Sequence, residues 1–564
     1  MTQTLATFAV HVLNRKQRTT GDTGSTGISF FFPVFPVVES DCAIQRNRLS
    51  NTIRRLPPVE SPRKLHVQSL ATFKSRNPRM AYRIEAIELY VRETIPGRML
   101  FTLGKQGAKG TKPKRLANPL AHVRMVVRET SGKETFGCSG DRLSVRWLDK
   151  RPGRDTDLKR RELVALVEKS RDIWLSHREF ESPFAQWRRC HAEVMKAGRA
   201  AGQEDLTSAF ASAIMERAML DAVSRLAGKS IYQMVQGEHL GFQPAAIHPE
   251  VGKLKFPHII APRPLTRFSI RHTVGLADPL TKNDLPDDQR VNDGLPETLE
   301  EYIKTDGVRF FKIKISGDPT ADIERLQKIW GVISRAEQPV ITLDANEAYT
   351  DLKTFAKFVK QLEKENVGLF QHIEYIEQPL PRQLTLDPKT ATDLKKIAES
   401  KRLLIDEADG TLDAYRRAHA IGYLGTSHKN CKGVFKSLAN HALSVHYALK
   451  GEDAFLSAED LQNISVVPLH QDFATLGILG IEHCERNGHH YNRGLSMLSP
   501  KDKANAVKHH PDMYVRRGDE WFLDVRDGVV DCASLQCPGF GVRDEPDWAS
   551  MMPMRKWVQS RHPA

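Results

Sequence analysis

The 564-residue sequence contains no apolar run that approaches the roughly 20 residues a membrane-spanning helix needs. Its most apolar stretch, ISFFFPVFPVV at 28–38, is short and is broken by Pro33 and Pro36. No basic region of the usual kind precedes it, so it does not read as a secretory signal. Cysteine is scarce: seven residues, at 42, 138, 190, 431, 484, 532 and 537, an odd and scattered set. No two stand at zinc-finger spacing, and the expectation is a reducing, cytoplasmic setting. No repeat of 20–50 residues is visible. These absences argue against an integral membrane protein, a disulfide-stapled domain and a solenoid.

The net charge of +14 would ordinarily raise nucleic acid as a partner. Its distribution argues against that. Residues 1–79 hold twelve Lys/Arg against four Asp/Glu and so supply +8, leaving +6 for all of 80–564. The first 79 residues show no helical or strand period and carry a GDTGSTG patch at 21–27. They read as a disordered basic extension. Met80 stands immediately before the first patterned segment and is an expected true start of the folded chain.

Pattern begins at AYRIEAIELYVRE (81–93), where Ile84, Ile87, Leu89 and Val91 predict a strand. LAHVRMVVRETSG (120–132) predicts a second strand and a turn, and TFGCSGDRL (135–143) follows. Helical stretches come next, at 157–175 and 206–230, the latter closed by Gly228. Strands followed by helices describe an α+β domain over 81–240.

From about 268 the rhythm becomes alternation. SIRHTVGL (269–276) opens a series of eight strand candidates, which DAFLSAED (453–460) and GILGIEHCE (477–485) close. Five segments between them end in charge: FKIKISGD (311–318), ITLDANEAY (341–349), IEYIEQPL (373–380), LLIDEAD (403–409) and GTSHKNCKG (425–433). From Lys314 through Asp344, Glu377 and Asp406 to Lys429 the steps are 30, 33, 29 and 23 residues. A (β/α)₈ barrel of about 250 residues needs roughly 31 per unit. The expected architecture is therefore α/β: a (β/α)₈-type barrel over 241–530 behind the α+β domain. Each charged residue would sit at the C-terminal end of a strand, where such barrels place their chemistry.

The residue types suit acid/base chemistry around a cation. Three carboxylates converging on one mouth repel unless a cation lies between them, and Mg²⁺ is the hard cation that takes such oxygens. Asp344, Glu377 and Asp406 are the candidate ligands. Glu407 is an alternative to Asp406 but points to the opposite face. Lys312 and Lys314 point the same way from one strand, and adjacent ammonium groups depress each other's pKa toward the range of a base. Lys429 closes the series, with His428 and Lys432 as plausible neighbours. Asn346 and Gln378 lie beside ligands and can orient them or meet substrate.

This ordered set resembles the enolase superfamily, more narrowly its members similar to mandelate racemase and muconate lactonizing enzyme. The family carries a K-x-K on the second barrel strand, metal acids on the third to fifth and a lysine on the sixth. Segment 211–235 looks like the last helix of its capping domain, and 527–542 like its closing glycine-rich stretch. The resemblance spans roughly 81–545, with 531–564 expected to pack back on the capping domain. It implies an isomerase or lyase that takes a small carboxylate, with Lys314 and Lys429 as the catalytic pair beside Lys312. Mg²⁺ on Asp344, Glu377 and Asp406 would stabilise an enediolate. A homo-oligomer is expected as well.

The departures bear on substrate. Only Gly433 follows the sixth-strand lysine, where the family often has two glycines. The seventh strand offers Glu459 and Asp460. The stretch IEHCERNGHHYNRG (481–494) is rich in His, with His483, Glu485, His489 and His490 as possible substrate contacts. A general acid from His483 or His490 would favour β-elimination over racemisation, epimerisation or cycloisomerisation. A non-catalytic barrel is the third reading.

Overall fold

The computed structural model describes residues 81–95, 98–99 and 119–561. The basic segment 1–79, its expected boundary at Met80 and most of the loop at 97–119 lie outside the described residues.

Strands β1 (Tyr82–Arg92), β2 (Leu120–Glu129) and β3 (Glu134–Arg142) form an antiparallel meander. Ile84, Ile87, Leu89 and Val91 are all buried, although 84 and 87 differ by an odd number. A register shift between Ile84 and Ala86 turns both toward the core. Helices α1 (Thr156–Ser176), α2 (Pro183–Ala200) and α3 (Asp205–Leu226) pack on this sheet. The sequence reading missed α2, although Ser182 caps it and Pro183 opens it, both ordinary start signals. In α3, 20 of 22 residues are buried, because it lies between the sheet, α1 and α2, and the barrel turn at 430–432. Gly228, at φ +63°, follows its end as expected.

The approach of α3 to β3 requires glycine at 137. A Cβ there would lie 2.1 Å from the Ala218 oxygen and 2.4 Å from the Ala222 nitrogen. Gly137→Ala is expected to force the helix off the sheet and destabilise the protein by about 1–3 kcal/mol, the usual cost of overpacking. A thermal melt within about 1 °C of the parent would refute that close packing.

Eight parallel strands follow: β4 (Arg267–Val274), β5 (Phe310–Lys314), β6 (Val340–Asp344), β7 (Ile373–Glu377), β8 (Arg402–Ile405), β9 (Gly425–His428), β10 (Phe455–Ala458) and β11 (His483–Glu485). Neighbours pair in chain order from β4 to β10, and β11 pairs back on β4. Among the described residues no ladder joins β10 to β11, so the barrel is nearly closed. All eight predicted strands are present. GILGIEHCE is shorter as a strand than expected: its first part ends a helix that Gly480 terminates at φ +70°. A short apolar run has no period that separates helix from strand.

Helices follow the strands, among them α4 (Leu299–Asp306), α5 (Pro319–Ile333), α6 (Leu352–Glu365), α7 (Ala391–Ser400), α8 (Ala414–Ile421), α9 (Val434–Leu449) and α10 (Val467–Leu479). In α6 the predicted stripe Phe355, Phe358, Val359 and Leu362 is buried against the barrel. Near the C-terminus, Met552–Pro553 adds to β1 opposite Tyr90 and Val91. Among the described residues, no helix is long and apolar enough to cross a membrane.

Candidate active site

Strand register carries the charged residues to one end of the barrel. Lys314 lies directly across from Asp344, and Asp344 across from Glu377. Asp406, Lys429 and Glu459 each follow the last residue of their strands, and Glu485 is the last of β11. All are buried, and all stand at the C-terminal face.

Lys312, one layer below Lys314, sits in the middle of the acids. Its Nζ is 2.9 Å from Asp344 Oδ2, 2.9 Å from Glu377 Oε2, 2.6 Å from Glu459 Oε2 and 2.9 Å from Glu485 Oε2. Lys314 donates to Asp344 Oδ2 at 2.5 Å and to Asn346 Oδ1 at 2.8 Å. Across the barrel, Lys429 is 2.9 Å from both Asp406 Oδ2 and Glu459 Oε2. Lys432 lies in the turn after β9, yet its Nζ reaches back to Asp406 Oδ1 at 2.8 Å.

These contacts correct the expected lysine electrostatics. Burial acts to lower the pKa of Lys312, but Asp344, Glu377, Glu459 and Glu485 hold it well above the ordinary lysine value. Lys429 is raised in the same way by Asp406 and Glu459 against its own burial. Four acids outweigh one neighbouring ammonium. Burial, with Asp344 and Glu459 close by, pushes the Glu377 carboxyl well above the usual range. Burial and adjacent Asp406 push Glu407 up to about 8.

Glu377, Asp406 and Glu459 form a metal-capable group, with one oxygen from each within 4.8 Å of the others. Asp344 lies outside that group. Its Oδ1 accepts from the Asn346 backbone at 2.8 Å, and its Oδ2 is taken by the two lysines. Glu459, expected at the substrate, is thus among the carboxylates that crowd the barrel axis. Asn346, at φ +43°, bridges Lys314 and Glu407, donating to the latter from Nδ2 at 3.0 Å. Gln378 accepts from the Asp406 backbone at 2.8 Å and so fixes that residue's main chain.

The two histidines expected at the substrate face elsewhere. His483 shares the inward face of β11 with Glu485 but lies one layer down. It takes a bond from Arg271 at 3.1 Å and stacks on Phe310 with ring centres 4.6 Å apart. His490 lies outside the barrel wall, bonded to the Tyr302 hydroxyl of α4 and edge-on to His272 of β4. His428, opposite in phase to Lys429, turns away to Ser437 Oγ at 2.7 Å.

Three contributors escaped the sequence reading. Arg271, on the inward face of β4, donates to Ser457 Oγ at 2.9 Å and lies 3.3 Å from Glu459. Its phase in SIRHTVGL was legible. Trp147, after β3, roofs the mouth with its ring centre 4.3 Å from Lys429 Nζ, a cation–π contact. Arg382 holds that roof by donating to the Trp147 carbonyl at 3.2 Å while paired with Glu347 at 2.9 Å. No local signal marks the last two, because they meet the site only through the contact of the α+β lobe with the barrel. Glu216 of α3 makes a similar tie, accepting from the Phe435 backbone at 2.7 Å beside Gly433. Gly433 has φ +112°, and a Cβ there would be 3.1 Å from Glu216 Oε2.

An eight-stranded parallel barrel with lysines and carboxylates at its C-terminal mouth, roofed by an α+β lobe, is the architecture of the capped α/β-barrel enzymes. Residues 294–452 match the family model of the enolase C-terminal domain-like proteins. That match lies within the barrel, and the fold around it is the one seen in solved mandelate racemase/muconate lactonizing enzymes. A mandelate racemase/muconate lactonizing enzyme from Bordetella bronchiseptica is 14% identical, with a TM-score of 0.50 over 82% of this chain and 98% of its own. A mandelate racemase/muconate lactonizing protein from Herpetosiphon aurantiacus is 16% identical, with a TM-score of 0.51 over 82% and 99%. An enolase from Bradyrhizobium, complexed with magnesium and mandelic acid, is 14% identical, with a TM-score of 0.50 over 84% and 98%. No curated protein matches the sequence.

Proposed function

We propose that the protein is a Mg²⁺-dependent isomerase that removes the proton α to the carboxylate of a small substrate and returns it. The observation that carries this reading is the placement of Lys314 and Lys429. They stand at the C-terminal ends of β5 and β9, half-way round the barrel from each other, at the edges of one buried carboxylate cluster. Two ammonium-bearing groups on opposite sides can serve the two faces of one carbon.

The donor set suits a hard cation. Buried oxygens of Glu377, Asp406 and Glu459 converge, and Mg²⁺ takes such carboxylate oxygens. A bound Mg²⁺ would offset the negative charge that develops on the substrate as its proton leaves. Lys314 would take that proton on one face, oriented by Asp344 and Asn346. Lys429, beneath Trp147, would deliver one on the other face. Lys432 and Arg271 add positive charge suited to an anionic substrate. An elimination that drew its general acid from His483 or His490 is disfavoured, since His483 lies one layer below the mouth acids, bonded to Arg271, and His490 lies outside the barrel wall.

Incubation with Mg²⁺ and a panel of chiral α-substituted carboxylates in D₂O tests the proposal. Deuterium at the α-carbon of recovered substrate, with loss of optical activity, is the expected result. An unsaturated product would mean elimination, and no change across the panel would leave a non-catalytic barrel.

A further inference from the structure

The ring that roofs Lys429 belongs to the α+β lobe, but the barrel holds it in place. We propose that Arg382 and Glu347 are positioning residues for the Lys429 side of the reaction. They fix Trp147 against Lys429, while the Lys314 side works without that support. The inference rests on the two-lysine reading above and deepens it.

Trp147 lies in a single helical turn, Val145–Leu148, shortly after β3. A turn of 4 residues does not hold itself as a helix, and Ser144 at its start makes no side-chain cap. The Trp147 ring is 5% exposed, and its Nε1 meets no acceptor among the described residues. The indole is therefore not fixed by a hydrogen bond of its own. What the barrel grips is its backbone. The last two carbonyls of the turn, of Trp147 and Leu148, both accept from Arg382 at 3.2 Å. Carbonyls at a helix end lack partners within the helix, and a guanidinium suits them in both geometry and charge.

Arg382 is itself held from the barrel side. Its Nε and Nη2 donate to the two oxygens of Glu347 at 2.9 Å each, a bidentate pair that fixes the plane of the fork. Its Nη1 also reaches Glu204, the residue that opens α3. Glu347 stands at φ +70° beside Asn346 at φ +43°, two consecutive residues in a region that non-glycine residues rarely adopt. That turn sends Asn346 to Lys314 at 2.8 Å and Glu347 to Arg382. The two lysines are thus supported differently. Lys314 is oriented by Asp344 and Asn346, all within the barrel. Lys429 has Asp406 and Glu459, and in addition a ring 4.3 Å away whose place depends on Arg382.

Arg382→Met keeps much of the side chain's length and removes its donors. Deuterium exchange from D₂O, followed separately in each substrate enantiomer, reads the two lysines apart, with Lys314→Ala and Lys429→Ala assigning one enantiomer to each. A reacting group misplaced by about 1 Å can cost on the order of 100-fold. In Arg382→Met, kcat for exchange on the Lys429 side should fall about 10–100-fold, and the Lys314 side should stay within about threefold. Arg382→Lys, which keeps the charge but not the fork, should not restore the loss. Trp147→Phe, which keeps a ring over the ammonium, should lose less than Trp147→Leu. If Arg382→Met slows both sides alike, or neither, the positioning role is overturned while the two-lysine reading stands. If the parent exchanges neither enantiomer, that reading fails and this role with it.

A second measurement needs no substrate. With 5-fluorotryptophan at the seven tryptophan positions, the ¹⁹F signal of Trp147 is the one absent from Trp147→Phe. It should move in Lys429→Met and in Arg382→Met, with the remaining signals in place as evidence of an intact fold. A Trp147 signal unmoved in Arg382→Met overturns the proposal. Glu347→Gln, which removes one oxygen of the bidentate pair, should shift the same signal less, and covers the case in which Arg382→Met does not fold.

Discussion

Replacing Lys314 or Lys429 by alanine should slow interconversion of the substrate's enantiomers by about 10²–10⁴-fold, the usual contribution of a positioned acid/base group. The two variants should differ in kind. Each lysine stands on its own side of the cluster, so each variant should still wash deuterium into the enantiomer whose proton faces the remaining lysine. Both ammoniums also neutralise buried acids, Lys314 at Asp344 and Lys429 at Asp406 and Glu459. Lys→Met controls would separate lost charge from lost length, and a melt would show that the barrel survives. Rates within threefold of the parent in either alanine variant would sink the two-lysine scheme.

The second large effect concerns stability and lies away from the mouth. Arg217 of α3 donates to Asp141 Oδ2 at 2.8 Å and to the Gly140 carbonyl at 2.9 Å. Both side chains are at most 1% exposed. Arg217→Met would leave Asp141 charged and buried without this partner. Removing one member of a buried pair typically costs about 3–5 kcal/mol, whereas replacing both by apolar groups is often near neutral. Chemical denaturation should therefore show a large loss for Arg217→Met, and recovery of much of it in Arg217→Met/Asp141→Leu. A single variant within about 1 kcal/mol of the parent would mean that water or a neighbour reaches Asp141.

The strand order and the identities of most mouth residues were legible in the sequence. Charged residues at about 30-residue intervals, each after an apolar run, have few explanations other than successive βα units. Alternation along a strand correctly paired Lys312 with Lys314 and set His428 against Lys429, because it is a local property of the backbone. The errors at His483 and His490 came from the same local view. Phase says which wall of a strand a side chain leaves, but not at which depth in the barrel it stops, nor where a loop goes after the strand ends.

The sequence by itself determined the architecture, the eight strands and the ring of lysines and acids at their ends, since spacing and period act through neighbours along the chain. Only the tertiary structure decided how that ring is shared out. Asp344 belongs with Lys314 because β5 and β6 pair in that register. Trp147 covers Lys429 because Arg382 binds its carbonyl from across the gap between lobe and barrel. Glu459 meets Lys312 because strands well separated around the nearly closed wall point at one axis. Those contacts join residues far apart in the chain, and their energies depend on distance in space and on burial, neither of which a linear pattern encodes.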